Sequence, residues 1–270
     1  MQSQTRLEKT ELKPNIGTEV HTDKATLLGG EVGAEIRSLL EERGVVLLRQ
    51  LNLSDEEQVA FTKTLGTMAQ DIFKISMDPL ENPNFAYTKG AFFWHIDGTM
   101  SDVPIFASVM SCRRKSPVGG KTEFCNTYAA YEALTEDEKR EVEQLKVVHE
   151  FESAQRYANP EPSYKELKSW QGFKPNVLPM VWTHRSGRKS LVLGATASHV
   201  EGMAQRDGQL LLAKYRDWAT QEQFTYSHEW TVGDMILWDN TGTMHRVLAY
   251  PDDSGRLMHR TTVQGDEPFA

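Results

Sequence analysis

Hydrophobic positions along the chain change period several times, and each change marks an element. Val32, Ile36 and Leu39 recur at helical spacing, which predicts an amphipathic helix over residues 30–43, ended by Gly44. Ile16 to Val20 reads as a first short strand, and the unbroken apolar run Val45-Val46-Leu47-Leu48 as a buried one. Ser54 and Glu57 form a capping-box pair, and Phe61 and Leu65 follow at i,i+4, so a second helix starts there. Ile105 to Ser111 and Thr122 to Cys125 read as strands, the second of them preceded by a Gly119-Gly120 turn. Thr127 begins a short helical turn, and Thr135 with Glu138 opens a helix to about Lys146. Further on, Ser190 to Ala195 reads as a strand, and Leu211, Tyr215 and Trp218 share a helical face. Gly233-Asp234 is a tight turn between the last strands, of which Met235 to Asp239 and Arg256 to Val263 are the clearest.

Three stretches lack such a pattern. Residues 1–14 read as a flexible arm. Residues 67–93, with Pro79 and Pro83, read as a long loop able to act as a lid. Residues 152–187 carry four prolines and many charges, and read as an excursion from the main fold. There is no repeat and no linker, so residues 15–270 are expected to form a single domain. Regular βαβ alternation is absent, which argues against a doubly wound sheet. The expected class is mainly β with helices (α+β), a sandwich or jelly roll with helical decoration.

Composition narrows the function classes. Apolar residues make up 39% and charged residues 25%, ordinary values for a globular protein. A net charge of −8 argues against a nucleic-acid-binding face, which would have to be basic. No run is long enough to span a membrane, and Met1 to Glu11 is polar, with no secretory signal. Cys112 and Cys125 are too few for a disulfide framework. A cytoplasmic location is expected, and the oligomeric state stays open, a homo-oligomer included.

The candidate chemistry begins with His-x-Asp/Glu, which on a strand puts two ligands on one face. It occurs three times, as His21/Asp23, His95/Asp97 and His199/Glu201. The first lies before any convincing core. The third stands just before Gly202 and a helix, which suits a helix start or a pocket wall. His95/Asp97 follows Phe92-Phe93-Trp94, an aromatic lead-in able to dry a site. From spacing alone, a metal pair and an Asx-type turn are equally good readings of it. A third ligand would come from a distant strand, and His245 follows the hydrophobic strand Met235 to Trp238 and a polar turn. Two histidines and one carboxylate leave three positions open on a metal.

Arg256 follows His245 by eleven residues, about one hairpin, and no other histidine has an arginine at that offset. A guanidinium there can grip a carboxylate in a fork. On a strand, Arg256, Met258 and Arg260 face one side and Leu257 and His259 the other. The two arginines would then stand about 13 Å apart, which suits two different anions.

With these residues in view, the sequence resembles the taurine dioxygenase / 2,4-dichlorophenoxyacetate dioxygenase family. The matching segments are Trp94-His95-Ile96-Asp97, Gly119-Gly120-Lys121-Thr122, Trp238-Asp239-Asn240 through His245, and Arg256-Leu257-Met258-His259-Arg260. The resemblance implies a double-stranded β-helix and an enzyme that uses Fe(II), 2-oxoglutarate and O2, releasing succinate and CO2. It implies His95, Asp97 and His245 as iron ligands, and Arg256 and Thr122 at the distal carboxylate of 2-oxoglutarate. Arg260 falls where the family often meets an anionic substrate, here a carboxylate or sulfonate. An aspartate at position 97, rather than a small residue that admits chloride, implies hydroxylation. Phe93, Trp238 and His199 are further candidates for the substrate pocket. Two competing readings are a cupin-like metal enzyme that does not use 2-oxoglutarate and a non-catalytic binding protein on the same fold.

Overall fold

The run Val45–Leu48 has no polar side to turn toward water, and the structure, a computed structural model describing residues 7–270, buries all four residues inside a sheet. In chain order the strands are β1 (Glu8–Lys13), β2 (Ile16–His21), β3 (Val45–Leu48), β4 (Met68–Ile75), β5 (Ala107–Arg114), β6 (Thr122–Asn126), β7 (Lys146–His149) and β8 (Asn176–Pro179). They continue with β9 (Val181–Thr183), β10 (Lys189–Leu191), β11 (Ala197–Val200), β12 (Thr225–His228), β13 (Met235–Asp239), β14 (Thr243–Val247) and β15 (Leu257–Val263). The helices are α1 (Lys24–Leu28), α2 (Gly33–Arg43), α3 (Asp55–Leu65), α4 (Thr127–Glu132), α5 (Glu136–Val142), α6 (Phe151–Ala158), α7 (Tyr164–Trp170) and α8 (Gln205–Ala219), with a 3-10 helix at Phe85–Phe92.

Seven strands form the large sheet in the order β1-β2-β3-β13-β5-β15-β4, antiparallel except for the β2–β3 pair. A three-stranded sheet, β12-β6-β14, lies over one of its faces. Side-chain alternation along β13 and β3 sorts the core into layers. Met235, Leu237, Val46 and Leu48 pack toward α2 and α3, with Ile36, Leu40, Phe61 and Leu65. Ile236, Trp238, Val45 and Leu47 point the other way and meet Phe124 of the small sheet. The outer face of that sheet, through Cys125 and Met244, packs on a third apolar layer that includes Trp94, Trp182, Leu193 and Tyr215. A second three-stranded sheet, β11-β7-β8, and the β10-β9 pair complete this outer side. The architecture is therefore mixed α and β around a large, mainly antiparallel sheet, and among the described residues no helix is long and apolar enough to cross a membrane.

Both predicted capping boxes are present, at Ser54/Glu57 and Thr135/Glu138. Three expectations need correction. The expected flexible arm is in part a strand, because residues 8–13 pair with β2; residues 1–6 lie outside the described residues. The stretch 67–93 is not one loop, because Met68–Ile75 forms β4 at the edge of the large sheet, paired with β15. Its exposed Ala69, Gln70 and Asp71 hide it from a reading that looks for alternation. Residues 152–187 hold most of α6, all of α7 and both β8 and β9; α7 starts at a third capping box, Ser163/Glu166.

Candidate functional site

The first link in the site is a backbone one. His95 and His245 donate to each other's carbonyls, at 3.0 and 2.9 Å, as directly opposed residues of an antiparallel bridge. Opposed side chains of such a pair project to one side, and the two imidazole centroids are 4.1 Å apart. Asp97 lies two residues beyond His95 and returns to the same side. Its Oδ1 is 3.7 Å from His95 Nε2 and its Oδ2 is 3.9 Å from His245 Nε2. Three candidate ligand atoms, one per residue, lie within 4.8 Å of one another, and no other group of three or more His, Cys, Asp or Glu among the described residues is so placed.

The protonation states suit metal binding. His95 Nδ1 is 2.8 Å from the Phe93 carbonyl, which can only accept, so Nδ1 carries a proton and Nε2 is the ring nitrogen left to face the cluster. Burial, then the neighbouring His95, hold the His245 pKa well below the usual histidine range, so this ring is neutral at pH 7. Burial alone would raise the Asp97 pKa, but the Arg260 guanidinium and the two imidazoles outweigh it and bring it to about 2. Two imidazoles and one carboxylate form a donor set that fits a divalent first-row metal and leaves positions for other ligands.

Arg260 has an acidic partner at the site. Its Nη1 donates to Asp97 Oδ2 at 2.8 Å, while its Nε is buried with no hydrogen-bond partner among the described residues. The ring of Phe73, across the strand pair from β4, lies 5.7 Å from the guanidinium carbon. The predicted alternation of β15 holds: Arg260 reaches the site and Met258 the core between the sheets, while His259 turns to Asp55 of α3.

Arg256, just before β15, is 3% exposed, and no carboxylate among the described residues lies within 4 Å of it. Its guanidinium stands over the Tyr250 ring at 4.9 Å. A cavity of about 100 Å³ beside it is lined by Ser116, Gly119, Gly120, Lys121 and Trp230. Gly120, at φ +76°, lets the backbone come this close, because a Cβ there would sit 3.2 Å from Arg256 Cδ and Nε. Trp230 joins this cavity to Thr122, whose Oγ1 accepts the indole N–H at 2.9 Å.

The three pocket candidates have different surroundings. Trp238 is 1% exposed and backs His245 from inside the core, with ring centroids 4.7 Å apart and its N–H donated to Asn240. It is a wall behind that imidazole and offers no face to a substrate. His199 lies on β11, and its side-chain hydrogen bond is to neighbouring Ser198. Phe93 contributes its carbonyl to His95 and stacks its ring on Tyr157 of α6 at 5.0 Å. Tyr250 and Phe73 are the aromatics that do meet the two arginines, and nothing in their local sequence marks them.

A family model described as "Taurine catabolism dioxygenase TauD, TfdA family" matches residues 8–262. The chain is 33% identical to the alpha-ketoglutarate-dependent 2,4-dichlorophenoxyacetate dioxygenase of Cupriavidus pinatubonensis, over 90% of this chain and 92% of that one. It is 30% identical to the (S)-phenoxypropionate/alpha-ketoglutarate-dioxygenase of Sphingobium herbicidovorans, over 83% of each. Among solved structures it is similar to AAD-2 in complex with Mn(II) and N-oxalylglycine, with a TM-score of 0.86, 31% identity, and coverage of 98% of this chain and 100% of that one. Motifs, fold and relatives agree, and the chain belongs to the TauD/TfdA dioxygenase family.

Proposed function

We propose that His95, Asp97 and His245 hold Fe(II), and that Arg256 with Thr122 receives the distal carboxylate of 2-oxoglutarate, in an enzyme that hydroxylates a small anionic organic molecule. The observation that carries the reading is the cluster of two imidazoles and one ionised carboxylate, with a buried guanidinium that has no acidic partner among the described residues one hairpin away. When bound, the iron supplies O2 activation coupled to the conversion of 2-oxoglutarate to succinate and CO2. The residues do the rest. Arg256 waits as a desolvated cation, and burial pulls its pKa below the ordinary arginine value, so an arriving carboxylate meets a strong partner. We read the large sheet and β12-β6-β14 as the two halves of a double-stranded β-helix, with the site at the β14 end of the interface. The Phe85–Phe92 helix, α6 and the segment after α7 join through Tyr87–Phe151 and Phe151–Phe173 contacts, at 5.8 and 4.5 Å, and form the lid over the substrate. A cupin-like metal enzyme and a binding protein without turnover have no observation in their favour.

The test is an anaerobic titration with Fe(II) and then 2-oxoglutarate. A visible charge-transfer band of an iron-chelated keto acid is the expected result, and its absence with both ligands saturating would refute the reading.

The substrate anion is assigned to Arg260. Only Nη1 is engaged by Asp97, so N–H groups remain for a carboxylate or sulfonate. Replacing Arg260 also disturbs Asp97, so loss of activity alone would prove nothing. The ratio of turnover between an acid and its neutral amide removes that ambiguity, because the Asp97 contact affects both compounds equally. For phenoxyacetic acid against phenoxyacetamide, a ratio of about 10 or more is expected in the wild type, since hydrogen bonds to charged groups contribute about 1.5–3 kcal/mol. It should collapse toward unity in Arg260→Gln. Equal turnover of acid and amide by the wild type would remove Arg260 from substrate binding.

A further inference from the structure

Asp97 is followed by Gly98, at φ +95°, and by Thr99, whose side chain is buried at 1% exposure. A carboxylate on such a turn keeps its place only if the turn itself is held. The β11-β7-β8 sheet holds it from outside. Thr99 Oγ1 is 2.9 Å from Thr196 Oγ1, which is 2.9 Å from Nδ1 of His149 on β7. Asn176 of β8 donates from Nδ2 to the carbonyls of Thr99 and Ser101, at 3.0 and 3.3 Å. The segment that carries Thr196 also grips the other end of the ligand pair. Ala195 N–H donates to the Trp94 carbonyl at 2.8 Å, and a Cβ on Gly194 would stand 3.0 Å from His95 Cα. Residues 194–196 thus run along the back of the 94–99 turn and touch it on both sides of Asp97.

His149 is fully buried, and its pKa is held to about 3 by that burial, so its ring is neutral. Its Nε2 is buried without a hydrogen-bond partner. A proton there would be an unmet buried donor, so the favoured tautomer carries it on Nδ1 and donates to Thr196. The Thr196 hydroxyl proton then points to Thr99. A chain of hydrogen bonds with one direction has one favoured arrangement, and it ends two residues from Asp97.

We propose that Thr196, oriented by His149 and aided by Asn176, is a positioning residue for Asp97: it fixes the turn that presents the carboxylate to the metal. The proposal rests on the assignment of Asp97 as a ligand. It gives the 152–187 excursion a role besides covering substrate, because Asn176 belongs to it.

Mn(II) binding to the full chain, without 2-oxoglutarate or substrate, tests this through the EPR signal of the free ion. Outer partners of metal ligands typically contribute 10–100-fold in affinity. Thr196→Val, which keeps shape and loses the hydroxyl, should weaken Mn(II) binding by about 10–100-fold. Thr196→Ser, which restores the hydroxyl, should bind within about threefold of the wild type. A merely structural role for Thr196 predicts lower thermal stability in Thr196→Val with unchanged Mn(II) affinity, and that result would overturn the proposal. Should Thr196→Val fail to fold, Asn176→Ala carries the test from the other side of the turn, with about tenfold weaker binding expected and unchanged binding counting against. Asp97→Ala separates the two levels. Lost binding in Asp97→Ala with wild-type binding in Thr196→Val sinks the brace alone; wild-type binding in Asp97→Ala sinks the ligand assignment and the brace with it.

Discussion

His95→Ala, Asp97→Ala and His245→Ala are each expected to abolish iron-dependent release of succinate from 2-oxoglutarate while leaving the chain folded. The chemistry needs three protein ligands to hold the metal and three open positions for the reactants, so no ligand is spare. The fold should survive because the His95–His245 link is made by main-chain groups, which alanine retains. The three variants differ in what they leave behind. Without Asp97, the Arg260 guanidinium loses its carboxylate and stands beside two imidazoles. An unpaired charge in a partly buried place is costly, so Asp97→Ala should be the least stable of the three. Without His245, Trp238 loses the ring it packs on, a packing loss with no charge left over. Iron content after anaerobic loading, succinate release and thermal midpoint are the measurements. Near wild-type succinate release by any one variant would strike that residue from the ligand set.

Arg256→Ala is expected to raise the 2-oxoglutarate concentration needed for half-saturation by about thirtyfold or more. Truncating one partner of a buried, hydrogen-bonded charge pair costs about 2–5 kcal/mol, and the lower bound already corresponds to a factor of about 30. The case is stronger because Arg256 has no carboxylate of its own among the described residues, so a cation at 3% exposure lacks a counter-charge until a ligand brings one. Arg256→Lys should recover only part of the affinity, since an ammonium cannot make the planar two-point contact. The competing explanation is packing, with the guanidinium there only to cover Tyr250 and pack on Gly120. Packing alone predicts a lower thermal midpoint with an unchanged 2-oxoglutarate requirement. The charge-transfer titration measures that requirement without turnover.

Features that depend on a few neighbouring residues were legible in the chain alone. The capping boxes at Ser54/Glu57 and Thr135/Glu138, the buried run Val45–Leu48 and the alternation that separates Arg260 from His259 are all local matters of hydrogen bonding or period. The motifs around His95, Asp97, His245 and Arg256 were legible too, but as a family pattern, since each short motif alone has chance matches. The family pattern singled out His95/Asp97 among the three His-x-Asp/Glu pairs, and the fold brings that pair to His245 through a backbone bridge between residues 150 positions apart in the chain, which no local pattern could show. The tertiary structure also showed Trp238 buried behind His245 and gave Arg260 an acidic partner in Asp97. It recovered β4 as a strand, which is held by pairing to β15 and has almost no pattern of its own. The His149–Thr196–Thr99 chain lay beyond sequence reading for the same reason. A buried histidine and two threonines carry no local signal of each other, and their contact exists only once three distant segments have closed on one turn.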